Sequence, residues 1–313
     1  MPPPPLTGPT MTSAPEQRPL APAAASAATR AADRAGVTVT ELAEITTLAA
    51  AADLLDDVWG TEGYHAATPE LLRGFSHSGN YVAGAYNGAE LVGALVGYQG
   101  EWHGECVLHS HILGVRSDQR GRGVGAALKL HQRNWALQRG HRMITWTFDP
   151  LVRGNAGFNL SRLGAQAVEY LVNFYGRMND GINNGDESDR LLVAWELDTA
   201  RVRAVCDDER GDGHGPLPAE VSQCVLGHGD DGGPRLHDVE PGTTAALIDT
   251  PPDIVSLRQR DPALAMAWRM ALRDAFVSCA ARGMRPVRTT TRGEYVLAVD
   301  GPGFRVHRTP ATE

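Results

Sequence analysis

The chain has 313 residues, and 29 Lys+Arg against 37 Asp+Glu give a formal net charge of −8, which argues against a broad nucleic-acid or anionic-membrane surface but permits a local cationic pocket. The length suggests two structural units once any tail is removed, and 42% hydrophobic residues suffice for a buried core. No apolar run approaches the ~20 residues of a membrane-spanning helix, and Cys106, Cys206, Cys224 and Cys279 form no Cys-x-x-Cys pair, so neither a membrane span, a disulfide framework nor a zinc knuckle is expected and a reducing, cytoplasmic setting fits.

Residues 1–36 pass from a proline-rich start into an Ala/Ser stretch poor in branched and aromatic residues, the composition of a disordered tail. A mixed α/β pattern begins at Val37: a strand near 37–42, a helix near 46–59 and a polar helical segment near 69–76. Tyr81–Tyr86 and Leu91–Tyr98 flank Asn87-Gly88, the signal of a type I′ hairpin. A strand near Val107–Val115 leads into a Gly/Arg-rich turn and a helix near Val124–Arg139, which Gly140 would close. Met143–Phe148 reads as a strand ending at Asp149-Pro150, and Val168–Tyr175 and Leu191–Leu197 as two more. From about 207 to 242 the composition shifts to Gly, Asp, His and Pro, as in a linker. Beyond it come a strand near Thr244–Ile248, a helix begun by Asp261-Pro262 whose Leu264, Trp268, Leu272, Ala275 and Phe276 share a face, and a hairpin around Arg292-Gly293. The resulting division is a tail over 1–36, an α/β domain over 37–200, a linker over 201–242 and a small C-terminal α/β appendage over 243–313.

The segment Leu113-Gly114-Val115-Arg116-Ser117-Asp118-Gln119-Arg120-Gly121-Arg122-Gly123-Val124-Gly125-Ala126 lies between a strand and a helix. Glycines there let several N–H groups converge on one anion, and the helix start adds roughly half a positive charge. Arg120 and Arg122 supply charge-assisted donors. No Walker motif is present, whereas Gly121, Gly123 and Ala126 satisfy the dinucleotide pattern Gly-x-Gly-x-x-Gly/Ala, with Asp149 at the next strand end. An NAD-dependent oxidoreductase is therefore one reading, set against by the long Arg116–Arg120 connection and the preceding hairpin.

Arg120-Gly121-Arg122-Gly123-Val124-Gly125 also resembles the Arg/Gln-x-x-Gly-x-Gly/Ala signature of the GNAT superfamily of acyl-CoA N-acyltransferases, in the same element order. The run Thr145-Trp146-Thr147-Phe148-Asp149-Pro150-Leu151, with Asn155 and Asn159 beyond it, resembles one bacterial branch of that superfamily. The resemblance implies a GNAT-like mixed, mainly antiparallel sheet flanked by helices, and acetyl-CoA or another acyl-CoA, succinyl-CoA included, as cosubstrate without a metal. It further implies that Leu113, Gly114 and Val115 pair with the pantetheine arm, that Arg120, Gly121, Arg122, Gly123, Val124, Gly125 and Ala126 hold the pyrophosphate, and that Asn155 and Asn159 flank the CoA. Many relatives carry a tyrosine that protonates the CoA thiolate where this chain has Leu160, which leaves a non-catalytic acyl-CoA sensor as an alternative.

The implied reaction is direct attack by a small-molecule amine, such as an amino acid, with the oxyanion held by backbone N–H near Gly114. By strand parity Glu105, His109, His111, Leu113 and Val115 share a side, and His111 is the candidate base, the other reading being that both imidazoles merely hydrogen-bond in a polar cleft. Asp149 is an alternative base or turn residue, Tyr175 a replacement acid or packing residue, and Arg190 a carboxylate binder or an exposed arginine beside Asp189. Arg269 and Arg273 read as helix-surface ion-pairing groups, and His214, His228 and His237 as solvated linker residues. The appendage would cover the acceptor pocket or form a homodimer contact.

Overall fold

In the computed structural model, which describes residues 22–60, 65–176, 186–207, 221, 223–299 and 303–308, the alanine-rich run after the prolines is a helix, α1 (Pro22–Ala35). Ala24, Ala27, Ala28 and Ala31 recur at helical spacing and are buried, packing α1 on the later helix α4 (Val124–Gln138). The expected tail over 1–36 is corrected for this part: alanine loses no side-chain entropy in a helix, and its small methyl lets two helix backbones approach closely. Residues 1–21 lie outside the described residues.

The chain continues as β1 (Thr38–Glu41), α2 (Ile45–Trp59), α3 (Pro69–His77), β2 (Tyr81–Asn87), β3 (Glu90–Trp102), β4 (Glu105–Val115), α4, β5 (Met143–Phe148), α5 (Arg153–Ala156), a π-helical turn over Gly157–Arg162, β6 (Gln166–Val172), β7 (Arg190–Glu196) and α6 (Ala200–Cys206). Thr68 caps α3 by accepting from Leu71 N–H, and Pro69 occupies the first turn, where its missing N–H costs nothing. The β2–β3 connection is Gly88-Ala89, with positive φ at Gly88 but not at Ala89, so the hairpin is present while its turn is one residue along from the expected Asn87-Gly88 pair. The double positive φ of a type I′ turn occurs instead between β3 and β4, at His103 (φ 52) and Gly104 (φ 80).

Among the described residues, eight strands form an open mixed sheet in the order β1-β2-β3-β4-β5-β7-β6-β13, where β13 is Arg305–Arg308. Neighbours are antiparallel except for β4–β5 and β6–β13. Leu48 and Leu55 of α2 and Leu72 of α3 pack on one face with Val82, Ala94 and Val96. On the other face α1 and α4 bury Ala28, Ala31, Val124 and Leu128 against Leu95 and Leu108.

A second sheet, ordered β11-β12-β10-β8-β9, contains β8 (Gln223–His228), β9 (Pro234–Leu236), β10 (Ala245–Ile248), β11 (Arg285–Thr289) and β12 (Tyr295–Ala298). Helices α7 (Ile254–Arg260) and α8 (Pro262–Ala280) lie between β10 and β11, with Trp268, Leu272, Ala275 and Phe276 of α8 fully buried as its periodicity predicts. Two expectations are corrected. The linker over 201–242 carries α6, β8 and β9, and β8 pairs in parallel with β10, because Val225 and Leu226 form a short buried strand that the surrounding Gly and Asp residues obscure. The appendage is also not confined to itself, since β13 crosses back to pair with β6 of the first sheet. No helix among the described residues is long and apolar enough to cross a membrane.

Candidate active site

The parallel strands β4 and β5 pair only at Leu108–Ile144 and His109–Thr145. Beyond those pairs they separate, and the gap between Ser110–Val115 and Trp146–Asp149 opens into a cleft of about 410 Å³. The cleft passes between the two faces of the sheet: Val58 and Trp59 at the end of α2 border it on one side, and Lys129 of α4 on the other. Arg120, Asn155, Asn159, Arg190 and Val255 of α7 complete its wall, so the C-terminal unit contributes directly to the site.

A bulge orients the β4 wall. Val96 pairs with Ile112 but Gly97 with Ser110, which leaves His111 as the extra residue and resets the alternation of side chains. The parity expected for Glu105, His109, His111, Leu113 and Val115 is thereby broken. Leu113 and Val115 point towards α4, within contact distance of Gly125, whereas His109 and His111 both pack on Tyr98, at ring distances of 5.2 and 5.6 Å, on the side of α3. The backbone follows its own two-residue period. Arg116 N–H bonds Val92 O of β3, so Gly114 also turns its polar groups to β3, and Leu113 and Val115 are left open to the cleft. Gly114 itself is packed against Leu54, Leu55 and Val58, so the backbone N–H groups near it that face the cleft are those of Leu113 and Val115.

At the far end of β4, a 3₁₀ turn over Ser117–Gln119 precedes the glycines. Gly121 (φ 77) and Gly123 (φ 93) adopt the left-handed conformation, and Gly123 is the N-cap of α4 without a side-chain cap. The first N–H groups of α4 therefore have no side-chain acceptor, the arrangement that suits a phosphate. Arg120 and Arg122 are exposed beside this turn, while Arg116 is held by Glu90 and Asp118. Val124 and Ala126 are buried and offer only backbone, and Gly125 is open enough for a Cβ in ordinary contact.

His109 Nδ1 lies 3.1 Å from Thr145 Oγ1, and burial, followed by the charges of His111 and Lys129, pushes its pKa down to about 4. His111 is exposed at the cleft mouth, and desolvation by the cleft wall lowers its pKa from the usual histidine value. Both imidazoles are accordingly neutral near pH 7, the state a proton acceptor needs.

Asp149 is placed at the end of β5 as expected, but its role as a base is corrected. Its carboxylate accepts from Arg269 Nη1 at 2.9 Å and Nη2 at 3.1 Å, from Arg258 Nη2 at 2.6 Å and from Leu151 N–H at 3.0 Å. Although burial opposes ionisation, the arginines hold its pKa far below the usual carboxylate range, so it takes no proton near neutrality. It is also unavailable for a ribose hydroxyl, which, with β4 antiparallel to β3 and β5 to β7, removes the basis of the dinucleotide reading. Arg258 and Arg269 share Asp186 as well, at 2.9 and 3.0 Å, and Arg273 bridges Glu187 and Asp189. Arg269 and Arg273 are thus not surface groups: with Arg258 of α7 and Arg190 of β7 they form a network on the four carboxylates Asp149, Asp186, Glu187 and Asp189.

Arg190 lies against the cleft, 3.9 Å from Asp149, with its guanidinium 5.4 Å from the Tyr175 ring. It is buried rather than exposed. Tyr175 is itself exposed outside the cleft wall, its hydroxyl 3.3 Å from Oγ1 of Thr147, which does line the cleft. Asn159 accepts from Trp146 Nε1 at 3.2 Å. Leu160 is in the hydrophobic core, so no hydroxyl reaches the cleft from that position. His228 packs on Trp268 and pairs with Asp249 at 3.3 Å, and His214 lies outside the described residues.

Ser110 and Lys129 of the cleft wall, and Arg258, are absent from the residues that the sequence pointed to, and Trp146 and Thr147 figured there only within the run 145–151. Lys129 and Ser110 are both buried, with Lys129 Nζ 2.8 Å from Ser110 Oγ and 3.7 Å from the centre of the Trp146 ring. Ser110 was hidden by the bulge, which turns it to the α4 face against simple alternation. A charged residue inside the apolar run Ala126-Ala127-Leu128-Lys129-Leu130 was the one available signal for Lys129.

Residues 47–158 match the family model of the acetyltransferase (GNAT) family. No curated protein matches the chain. Among solved structures it is similar to yncA, a putative acetyltransferase from Salmonella typhimurium with its cofactor acetyl-CoA, at 15% identity over 52% of this chain and 95% of that one with a TM-score of 0.42. It is similar to the ribosomal-protein-S18-alanine N-acetyltransferase from Escherichia coli at 16% identity over 52% and 96% of the two chains, TM-score 0.40. An aminoglycoside acetyltransferase, meta-AAC0020, from an uncultured soil metagenomic sample in complex with sisomicin is 18% identical over 36% of this chain and 76% of its own, TM-score 0.33.

Proposed function

We propose that the protein, whose residues 47–158 match the family model of the acetyltransferase (GNAT) family, moves an acyl group from acyl-CoA to the amine of a small molecule, such as an amino acid, by direct attack. The observation that carries this reading is the separation of β4 from β5 into a cleft that begins at the glycine turn. The α4 N-terminus with Gly121, Gly123, Arg120 and Arg122 receives the pyrophosphate, and the open backbone of Leu113 and Val115 pairs with the pantetheine amides. Asn155 and Asn159 flank the arm on the β5 side. Neutral His111 takes the proton from the attacking amine, a backbone N–H of β4 beside Gly114 stabilises the oxyanion, and Arg190 binds a substrate carboxylate. Acetyl-CoA is the default donor, with succinyl-CoA the competitor that a cationic cleft would also accept.

The test is thiol release by the purified protein, crossing acetyl-CoA and succinyl-CoA with amino acids, simple amines and a peptide. Release that depends on one acceptor class supports the reading and names the donor. Thermal protection should accompany it, since a ligand at 100 times its Kd adds about 2.7 kcal/mol. CoA is expected to protect and NAD not to. Protection by CoA with no release from any pair would favour an acyl-CoA sensor, a reading to which buried Leu160 gives weight. No protection by CoA would sink the acyltransferase assignment.

A further inference from the structure

We infer that Ser110 and Lys129 form the proton relay that discharges CoA, with Ser110 Oγ facing the sulfur and Lys129 Nζ behind it. The inference rests on the acyltransferase reading and deepens it.

Four observations meet at this point. The first is position: Ser110 follows the last β4–β5 pair, so it stands at the apex of the opening, where an arm entering from the glycine turn ends. Next comes contact, a 2.8 Å hydrogen bond between Lys129 Nζ and Ser110 Oγ, with both side chains buried and both lining the cleft. Charge adds to this. Among the described residues Lys129 forms no ion pair; it touches a hydroxyl and the Trp146 ring, which supply no counter-anion. A departing thiolate is an anion that arises at this end of the cleft. The last observation is residue type. Of 29 cationic side chains in the chain, 28 are arginine, and the lone lysine is this one. A guanidinium gives up no proton in a protein, whereas a buried ammonium does. Burial lowers the Lys129 pKa well below the ordinary lysine value, which makes it a stronger acid.

Collapse of the tetrahedral adduct breaks the C–S bond and leaves its electron pair on sulfur. Sulfur takes the Ser110 hydroxyl proton as Ser110 Oγ takes one from the Lys129 ammonium, giving CoA thiol and a neutral lysine. The proton shed by the acceptor nitrogen is held by His111, and exchange with water restores both groups. The relay supplies the acid that Leu160 cannot.

The test titrates CoA bound to the full-length protein, following the ultraviolet absorbance of its thiolate, in wild type, Lys129→Met and Ser110→Ala. The other titratable and charged groups facing this point are His109 and His111 of β4, Asp149 at the end of β5, Arg190 of β7 and Arg120. All are retained in the variants. In wild type the bound thiol should ionise at lower pH than free CoA, whose thiol pKa is about 8.5. Either substitution should reverse this by roughly ten-fold in the ionisation constant. With acetyl-CoA and the active acceptor, kcat should fall by about 100-fold or more, in the range of general acid catalysis, with KM for acetyl-CoA nearly unchanged. Identical thiol ionisation in wild type and both variants would overturn the relay. So would a loss confined to succinyl-CoA with acetyl-CoA turnover intact, which would make Lys129 a carboxylate partner. Failure of wild type to bind CoA is a separate result that removes the acyltransferase reading itself. Ser110→Ala deletes one oxygen without adding bulk, so the test stands if Lys129→Met does not fold.

Discussion

Replacing Asp149 by Asn should unlock the two halves of the molecule. The carboxylate is buried and carries the charge that Arg269 and Arg258 face, and Arg269 is 0% exposed, with Asp186 as its second acidic contact. An asparagine keeps the volume but removes the charge, leaving two buried guanidiniums to share one carboxylate. Removing one partner of a buried ion pair costs about 3–5 kcal/mol. At roughly 2–4 °C per kcal/mol for a domain of about 150–250 residues, the melting temperature should drop by some 6 °C or more. Urea denaturation of wild type and variant, followed by tryptophan fluorescence and circular dichroism, measures the loss. Both probes should shift together, because Arg258 and Arg269 lie on α7 and α8 while Asp149 ends β5. The pH dependence has a definite sign. The folded-state pKa of Asp149 is depressed, so its stabilisation is complete above the unfolded value of about 3.9 and is lost as pH falls below it. Asp149→Asn should therefore reduce the acid sensitivity of stability. A loss below about 1 kcal/mol, the size of an exposed ion pair, would refute the argument that this network joins the units.

Other outcomes are expected. His111→Ala should lower turnover and abolish the acidic limb of the pH–rate profile; in wild type that limb should lie below the ordinary histidine pKa of about 6.5, because desolvation lowers it and activity follows the neutral ring. A normal rate with an unchanged limb would remove His111 from the reaction. Tyr175→Phe removes an exposed hydroxyl bonded to Thr147 and should change kcat by no more than roughly three-fold, within the value of one neutral hydrogen bond. A loss of two orders of magnitude would instead make Tyr175 the acid. Gly123→Ala meets open space except for Ala35 Cβ at 3.6 Å, so its cost arises from φ 93. It should raise KM for acyl-CoA several-fold with kcat little changed, and an unaltered KM would mean that the turn does not hold the pyrophosphate.

Local chemistry made much of the first unit legible. Period-two runs located β2, β3 and β5, and the Gly121/Gly123 spacing located the turn; in the second unit Asp261-Pro262 marked the start of α8, where Asp261 caps Leu264 N–H. What escaped depends on partners distant in sequence. The burial of α1 is created by α4, and alanine composition alone carries no trace of it. A single bulge at His111 changes which residues share a wall, placing Ser110 with Lys129 and turning Leu113 away from the histidines. Arg269 resembles any arginine on an amphipathic helix until Asp149, 120 positions earlier, is brought beneath it. The candidate site was readable where backbone supplies the contacts and unreadable where buried side chains do.

The pairing of Arg305–Arg308 with Glu169–Val172 bears on how the chain is made. A ribosome releases residues in order, so the outer edge of β6 emerges long before the strand that covers it. Throughout that interval the nascent sheet presents an unpaired row of N–H and C=O groups, with Tyr170 and Leu171 beside it, to any other extended segment nearby. Only when β13 has been made can that edge be covered, however early the rest of the first sheet is complete.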